Sequence, residues 1–195
     1  MNFVPDGKAS QLLRVPYAGE ARAADGWQGQ DTGRSIETLK SDVVVAMGRL
    51  GGVVHGFQRG SYRVDDQDRA GVQISYSVEA PGGKMVYGRL DVAALPVRQP
   101  ARHRNAQRIL DRRNEAALAM ALYNVVQTLR AQWVLAQLNP GYVPLMPWLL
   151  GDKGKTLTEM WTTGAAAGRL LPAPSEKGKG KSKGGVVEGS FRETP

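Results

Sequence analysis

The chain has no cysteine, which excludes disulfides, thiolate nucleophiles and cysteine-ligated zinc. Histidine is nearly as scarce. His55 and His103 are the two present, so neither a Ser-His-Asp order nor a histidine metal-ligand spacing can be read. His55 falls on a strand and is expected in the core or at an edge, while His103 joins a basic cluster and would gain charge below a pH of about 6.5. No run of about 18 apolar residues occurs, so no bilayer-spanning segment and no membrane partner are expected. The opening MNFVPDGKASQLLRVPYAGE carries no apolar stretch of the secretory type, and the resulting expectation is an intracellular, cytoplasmic protein.

Acid is scarcer than base. With 26 Lys and Arg against 18 Asp and Glu, the net charge is +8, a balance that favours polyanionic partners and nucleic acid above all. Its 195 residues suit one domain of ordinary size with room for flexible ends. The 24 glycines and the 42 % hydrophobic share fit a compact middle between poorly packing segments.

Those segments are legible. Residues 1–33 are broken by Pro5, Gly7, Pro16, Gly19, Gly26, Gly29 and Gly33 and read as an extended, flexible arm. Its apolar members Phe3, Leu12, Leu13, Tyr17 and Trp27 are expected to pack across the domain. Residues 172–195, PAPSEKGKGKSKGGVVEGSFRETP, are a polar Gly/Lys/Ser tail expected to be disordered. A single α+β domain over 34–171 is expected between them.

Within that domain RSIETLKSDVVVAMGRLGG predicts a helix. Ser35 is placed to cap it, and Glu37 favours the positive end of the helix dipole. Ile36, Leu39, Val43, Met47 and Leu50 recur on one face, and Gly51 and Gly52 supply a left-handed stop. Residues 53–64 read as a Gly-broken strand. In AGVQISYSVE, Val72, Ile74, Tyr76 and Val78 alternate with Gln73, Ser75, Ser77 and Glu79, the pattern of a strand with one buried face. APGGK turns the chain into a partner strand at 84–92. A long helix follows Pro100 with an apolar stripe of Leu118, Leu122, Val125, Val126, Leu129 and Trp133, and NPGYVPLMP ends it. The expected fold is therefore α+β. An antiparallel β-meander of three or four strands packs against an N-terminal helix and a long central helix.

The strongest functional signal lies at the entrance of that long helix. RQPARHRNAQRILDRR, residues 98–113, holds six arginines and one aspartate. Arg104, Arg108 and Arg112 follow at i, i+4 and i+8, so on a helix they share a face, flanked by Arg113 and approached through Arg98 and Arg102. Like charges at that spacing repel, and cations at a helix N-terminus oppose its dipole. A counter-charge is therefore required. Asp65, Asp66 or Asp68 would supply it internally; phosphates, or an acidic protein surface, would supply it from outside.

Strand residues Arg59, Arg63, Arg69, Lys84 and Arg89, near Phe57, Tyr62 and Tyr87, resemble the basic–aromatic mixture that suits single strands; Tyr76 belongs to the buried face. GDKGKT has only the end of a phosphate loop, because position 149 is Leu where Gly is needed. Lys153 and Lys155 remain available to a backbone phosphate. TLTE reads instead as a capping box, with Thr156 as cap and Glu159 reaching back. VDDQDRAG lacks the Glu of a calcium loop.

These readings point to a small accessory protein that binds single-stranded DNA or RNA. Its expected contacts are Arg98, Arg102, Arg104, Arg108, Arg112 and Arg113, with Arg59, Arg63, Tyr62, Lys153 and Lys155. No catalytic residue, metal or cofactor is assigned. A second reading is an assembly subunit or homo-oligomer that docks on other chains through its arm, tail and Pro-rich connector NPGYVPLMPWLL. A metal-dependent nuclease using the Asp65–Asp68 acids with Glu79 and Lys84 is the third.

Overall fold

A computed structural model describes residues 15–64, 67–80, 82–101, 104–151 and 154–166. The chain divides into two compact units, Met1–Met160 and Trp161–Pro195; the core and the candidate site belong to the first. The proposed tail, Phe3, Leu12 and Leu13 lie outside the described residues, as do Asp65, Asp66, Arg102, His103 and Lys153.

Helix α1 spans Ile36–Arg49. Ser35 caps it as expected, its Oγ accepting from the Thr38 backbone N–H at 3.1 Å. Ile36, Leu39, Val43, Ala46 and Met47 are buried, whereas Val44 and Val45 face outward. Helical spacing thus overrides the β propensity of the Val43–Val45 run. Gly51 takes the left-handed conformation at φ +78° and stops the helix. Gly52 does not; it already belongs to the first strand and is small because a Cβ there would stand 2.7 Å from Met47 Cγ.

Strands β1 (Gly52–Val64), β2 (Gln67–Glu79) and β3 (Met85–Ala93) form one antiparallel sheet in that order. The inner face of β2 is the expected one: Val72, Ile74 and Tyr76 are fully buried. β3 pairs only with Gly71–Glu79, so the turn end of the β1–β2 hairpin, Ser61–Val64 against Gln67–Ala70, extends past it as a two-stranded ribbon. A register shift between Val54 and Gly56 leaves His55 as an extra residue in β1. His55 is exposed there, and its Nε2 lies 2.8 Å from the buried Ser77 Oγ. Ser77 is thereby buried on the face that alternation assigned to solvent.

Helix α2 spans Ala106–Leu138. It rests on α1, β2 and β3 through Leu118, Leu122, Val126 and Leu129, all buried. Each such side chain contributes roughly 1.5–3 kcal/mol by leaving water. Trp133 departs from the expected stripe: it is 38 % exposed, with the Arg49 guanidinium 5.9 Å from its ring centre. The last residue of α1 thus supplies its neighbour there.

The Pro-rich connector closes the core. Leu145 is fully buried although its φ is +63°, a conformation costing a non-glycine residue about 1–2 kcal/mol. Two hydrogen bonds hold it. Its N–H donates to Gln132 Oε1 at 2.9 Å, and its carbonyl accepts from the Tyr76 hydroxyl at 3.3 Å. Leu149 then bridges to Gly88 on the open edge of β3, so part of that edge is covered. Helix α3 (Leu157–Ala166) begins with the expected capping box. Glu159 N–H donates to Thr156 Oγ1 at 3.1 Å, and Thr156 N–H donates to Glu159 Oε2 at 2.7 Å.

Tyr76 requires space that only glycine leaves. A Cβ on Gly88 would stand 2.1 Å from Tyr76 Cζ and 2.4 Å from its hydroxyl, and that ring is fully buried. Gly88→Ala should therefore destabilise by about 1–3 kcal/mol and lower the melting temperature by several degrees. Gly60→Ala, with nothing within 4 Å of its Cβ, should leave it unchanged or slightly raised. Thermal melts of the two variants side by side check this, and equal shifts would contradict the close packing at Gly88.

Candidate nucleic-acid interface

Helix α2 begins later than the run of arginines. Asn105 precedes its first residue without a side-chain cap, and its first turn holds no acid. The unpaired N–H groups and the positive end of the dipole therefore add to the arginine charge. Arg108 and Arg112 lie one turn apart on the helix and are exposed. Arg104 is exposed too, but it sits in the turn before the helix rather than on it. The expected three-residue helical row is thus two residues and a preceding turn.

Internal pairing within the described residues does not neutralise these three. Among the described residues, Arg104, Arg108 and Arg112 have no ion-pair or hydrogen-bond partner. Asp111 accepts instead from Gln107 Nε2 at 2.8 Å. Asp68, one of the three candidate counter-charges, lies 3.8 Å from Arg63.

Arg98 and Arg113 behave differently. Arg113 Nη1 donates to the Arg98 carbonyl at 3.0 Å. The Arg98 guanidinium pairs with Glu20 and stands 5.0 Å from the Tyr17 ring centre. These contacts tie the extended arm to the segment that leads from β3 into α2, as does the Ala18 N–H donating to the Pro96 carbonyl at 2.9 Å. Deeper in, Ala21, Leu95 and Met120 form a small second core against which Trp27 packs. Between the arm and α2 lies a cavity of about 570 Å³. Tyr17, Arg98 and Arg113 line it, together with Gln30 and Asp31, over a floor that includes Met120. Sequence reading missed Gln30 and Asp31, and no periodic signal in the arm could have revealed them.

The sheet residues do not form one stacking surface. In the β1–β2 register Arg59 lies opposite Val72 and Arg63 opposite Asp68, whereas Tyr62 lies opposite Arg69. Alternation puts Tyr62 on one face and both arginines on the other. Both arginines are exposed, Arg63 on the overhanging ribbon and Arg59 within the three-stranded part of the sheet. Phe57 packs against the core, and Arg69 is buried, so neither joins an open basic–aromatic surface. Lys155 is exposed in the turn before α3, where Gly151 N–H donates to its carbonyl at 2.9 Å.

Tyr62 is committed to a polar network on the outer face. Its ring lies over Gly71, where a Cβ would meet Tyr62 Cδ2 at 2.3 Å. Its hydroxyl donates to Asp91 Oδ1 at 2.9 Å. Burial, and then the Asp91 hydrogen bond and charge, push the phenol up to about 12. Gln73 Nε2 also donates to Asp91, at 2.9 Å, and Arg89 Nε at 2.7 Å. Arg89 reaches on to Glu159 Oε1 at 2.7 Å, so Arg89 holds the start of α3 against β3, and the expected contact residue Tyr62 joins it through Asp91. Among the described residues no cluster of three or more His, Asp or Glu side chains is placed to hold a metal ion, and no helix is long and apolar enough to cross a membrane.

Fold and site together define an α+β protein: a three-stranded antiparallel meander under two helices, with a cationic entrance to the longer one. Comparison with family models, curated proteins and solved structures finds no match to this chain.

Asp91 makes the network sensitive to acid. Burial raises its carboxyl, but donation from Gln73, Arg89 and Tyr62 and the Arg89 charge outweigh that and leave it below the ordinary carboxylate range. A depressed carboxyl stabilises the fold above its unfolded-state value, about 3.9, and loses that contribution as pH falls through its folded value. Asp91→Asn should lower the melting temperature by a few degrees at pH 7. The gap from wild type should narrow steadily below pH ~4, which a melting series across pH reads directly.

Proposed function

We propose that this is a small, cytoplasmic, non-enzymatic protein that binds the backbone of single-stranded DNA or RNA through the entrance of α2. The observation that carries the reading is the state of Arg104, Arg108 and Arg112. All three are exposed, and none has a partner among the described residues. The N-terminus of α2 brings further positive potential with no acid in its first turn. Such an arrangement costs stability in the free protein, and an anionic ligand offsets that cost. Guanidinium forks bind phosphate oxygens two at a time, and a short row of them follows a flexible strand without requiring groove geometry. No helix-turn-helix or other duplex-reading pattern accompanies them. Arg59 and Arg63 on β1 and Lys155 before α3 are secondary contacts in this reading; Lys153 and Arg102 lie outside the described residues.

A second reading, an assembly subunit, draws on a different observation. The last turns of α2 expose Val134, Leu135 and Leu138, the last at 76 %, and exposed apolar clusters of this kind mark protein contacts. Size-exclusion chromatography separates the two readings, because a stable oligomer indifferent to oligonucleotides supports only the second.

Replacing Arg104, Arg108 and Arg112 together with Gln tests the first. Affinity for oligothymidine should fall, and the log–log salt slope should flatten by roughly 0.7 units for each single-strand phosphate that the variant no longer neutralises. The melting temperature should hold or rise slightly as like-charge repulsion is relieved. Unchanged binding with a lowered melting temperature would show the three to be structural and would end this reading.

A further inference from the structure

We propose that the cavity between the arm and α2 receives one nucleobase of the bound strand, and that Asp31 and Gln30 select a base bearing an amino group, guanine best. This deepens the nucleic-acid reading and rests on it.

Place comes first. The cavity wall includes Arg113, next in sequence to Arg112 and so about 100° round the helix from it. A strand whose phosphates follow Arg108 and Arg112 therefore passes close to the cavity, and one unstacked base can turn inward. Single strands present such bases readily, because no pairing has to be broken.

Size and walls come second. A volume of about 570 Å³ falls within the range of about 300–1,000 Å³ typical of small-ligand sites. Val97, Ala117 and Met120 give an apolar floor on which a base loses little by leaving water. Tyr17 and Arg98, themselves stacked at 5.0 Å, add an aromatic ring and a guanidinium plane, the two surfaces on which bases stack in single-strand recognition.

Charge decides the ligand. A pocket for phosphate alone would be lined by donors, yet this one holds carboxylates amid the most basic stretch of the chain. Glu20 is occupied by Arg98. Asp31 and Gln30 are exposed and without a partner among the described residues. Asp31 offers two adjacent acceptor oxygens and no donor. Guanine presents two adjacent donors, N1–H and the 2-amino group, which meet one carboxylate bidentately. Adenine and cytosine offer a single amino group, and thymine none. Arg113 uses Nη1 for the Arg98 carbonyl, and its other N–H groups suit guanine O6 or the adjoining phosphate.

The test compares oligothymidines of about 15 nucleotides that carry a central thymidine, deoxyguanosine or deoxyinosine, bound to the full chain at fixed salt. Inosine keeps N1–H and O6 but lacks the 2-amino group. The guanosine oligomer should bind about tenfold more tightly than the all-thymidine one, within the range for a bidentate base contact, and inosine should lose most of that gain. Asp31→Asn should abolish the preference, so that the variant binds the thymidine, guanosine and inosine oligomers alike. Equal affinity of the wild-type protein for all three oligomers, or an equal loss for all three in the variant, overturns the base pocket. In either case salt-dependent binding that Arg104, Arg108 and Arg112 control would leave the backbone reading standing. Absence of binding to every oligomer would remove both. The inosine comparison uses the unaltered protein, so it does not depend on how any variant folds.

Discussion

Tyr76 organises the molecule from the middle of β2. Its ring fills the inner face of the sheet at the point where Gly88 leaves room, and its hydroxyl reaches the Leu145 carbonyl. That bond, with the one from the Leu145 N–H to Gln132, joins the central strand, the long helix and the Pro-rich connector at a single buried point. A buried hydroxyl or amide left unsatisfied costs about 1–3 kcal/mol, so the connector is held as a lid and not merely draped over the core. Leu145 can keep a left-handed backbone there because burial of its side chain and both hydrogen bonds outweigh the strain.

The same framework sorts the charges. On the outer face of the sheet, Arg89, Asp91 and Glu159 satisfy one another and dock the start of α3, leaving little there for a ligand. At the arm, Arg98 and Arg113 hold the chain to α2 through a carboxylate, a carbonyl and an aromatic ring. At the helix entrance, Arg104, Arg108 and Arg112 are exposed without such partners among the described residues. Identical side chains thus take three roles according to what the fold brings close to them, and proximity along the sequence does not predict which. Arg112 and Arg113 are neighbours in the chain yet differ in this respect, because successive residues on a helix point about 100° apart.

What the sequence determined by itself was periodic. The spacing of Ile36, Leu39, Val43 and Met47 marked α1, and the alternation from Val72 to Val78 marked the buried face of β2. The Thr156–Glu159 box marked the start of α3, since a cap needs only residues three apart. Each of these depends on neighbours within a turn or a strand, so local order carries the information. The start of α2 was read too early and the overhang of the β1–β2 ribbon was missed, because a helix end without a side-chain cap and the length of a strand pairing leave no local mark. Tertiary structure alone decided the rest: that Tyr62 faces away from Arg59 and Arg63, that Asp68 meets Arg63 and not the α2 arginines, and that Gln30 and Asp31 line a cavity with Arg113. Those relations follow from sheet register and from how an aperiodic arm packs on a helix, and both are set only when distant apolar faces leave water together.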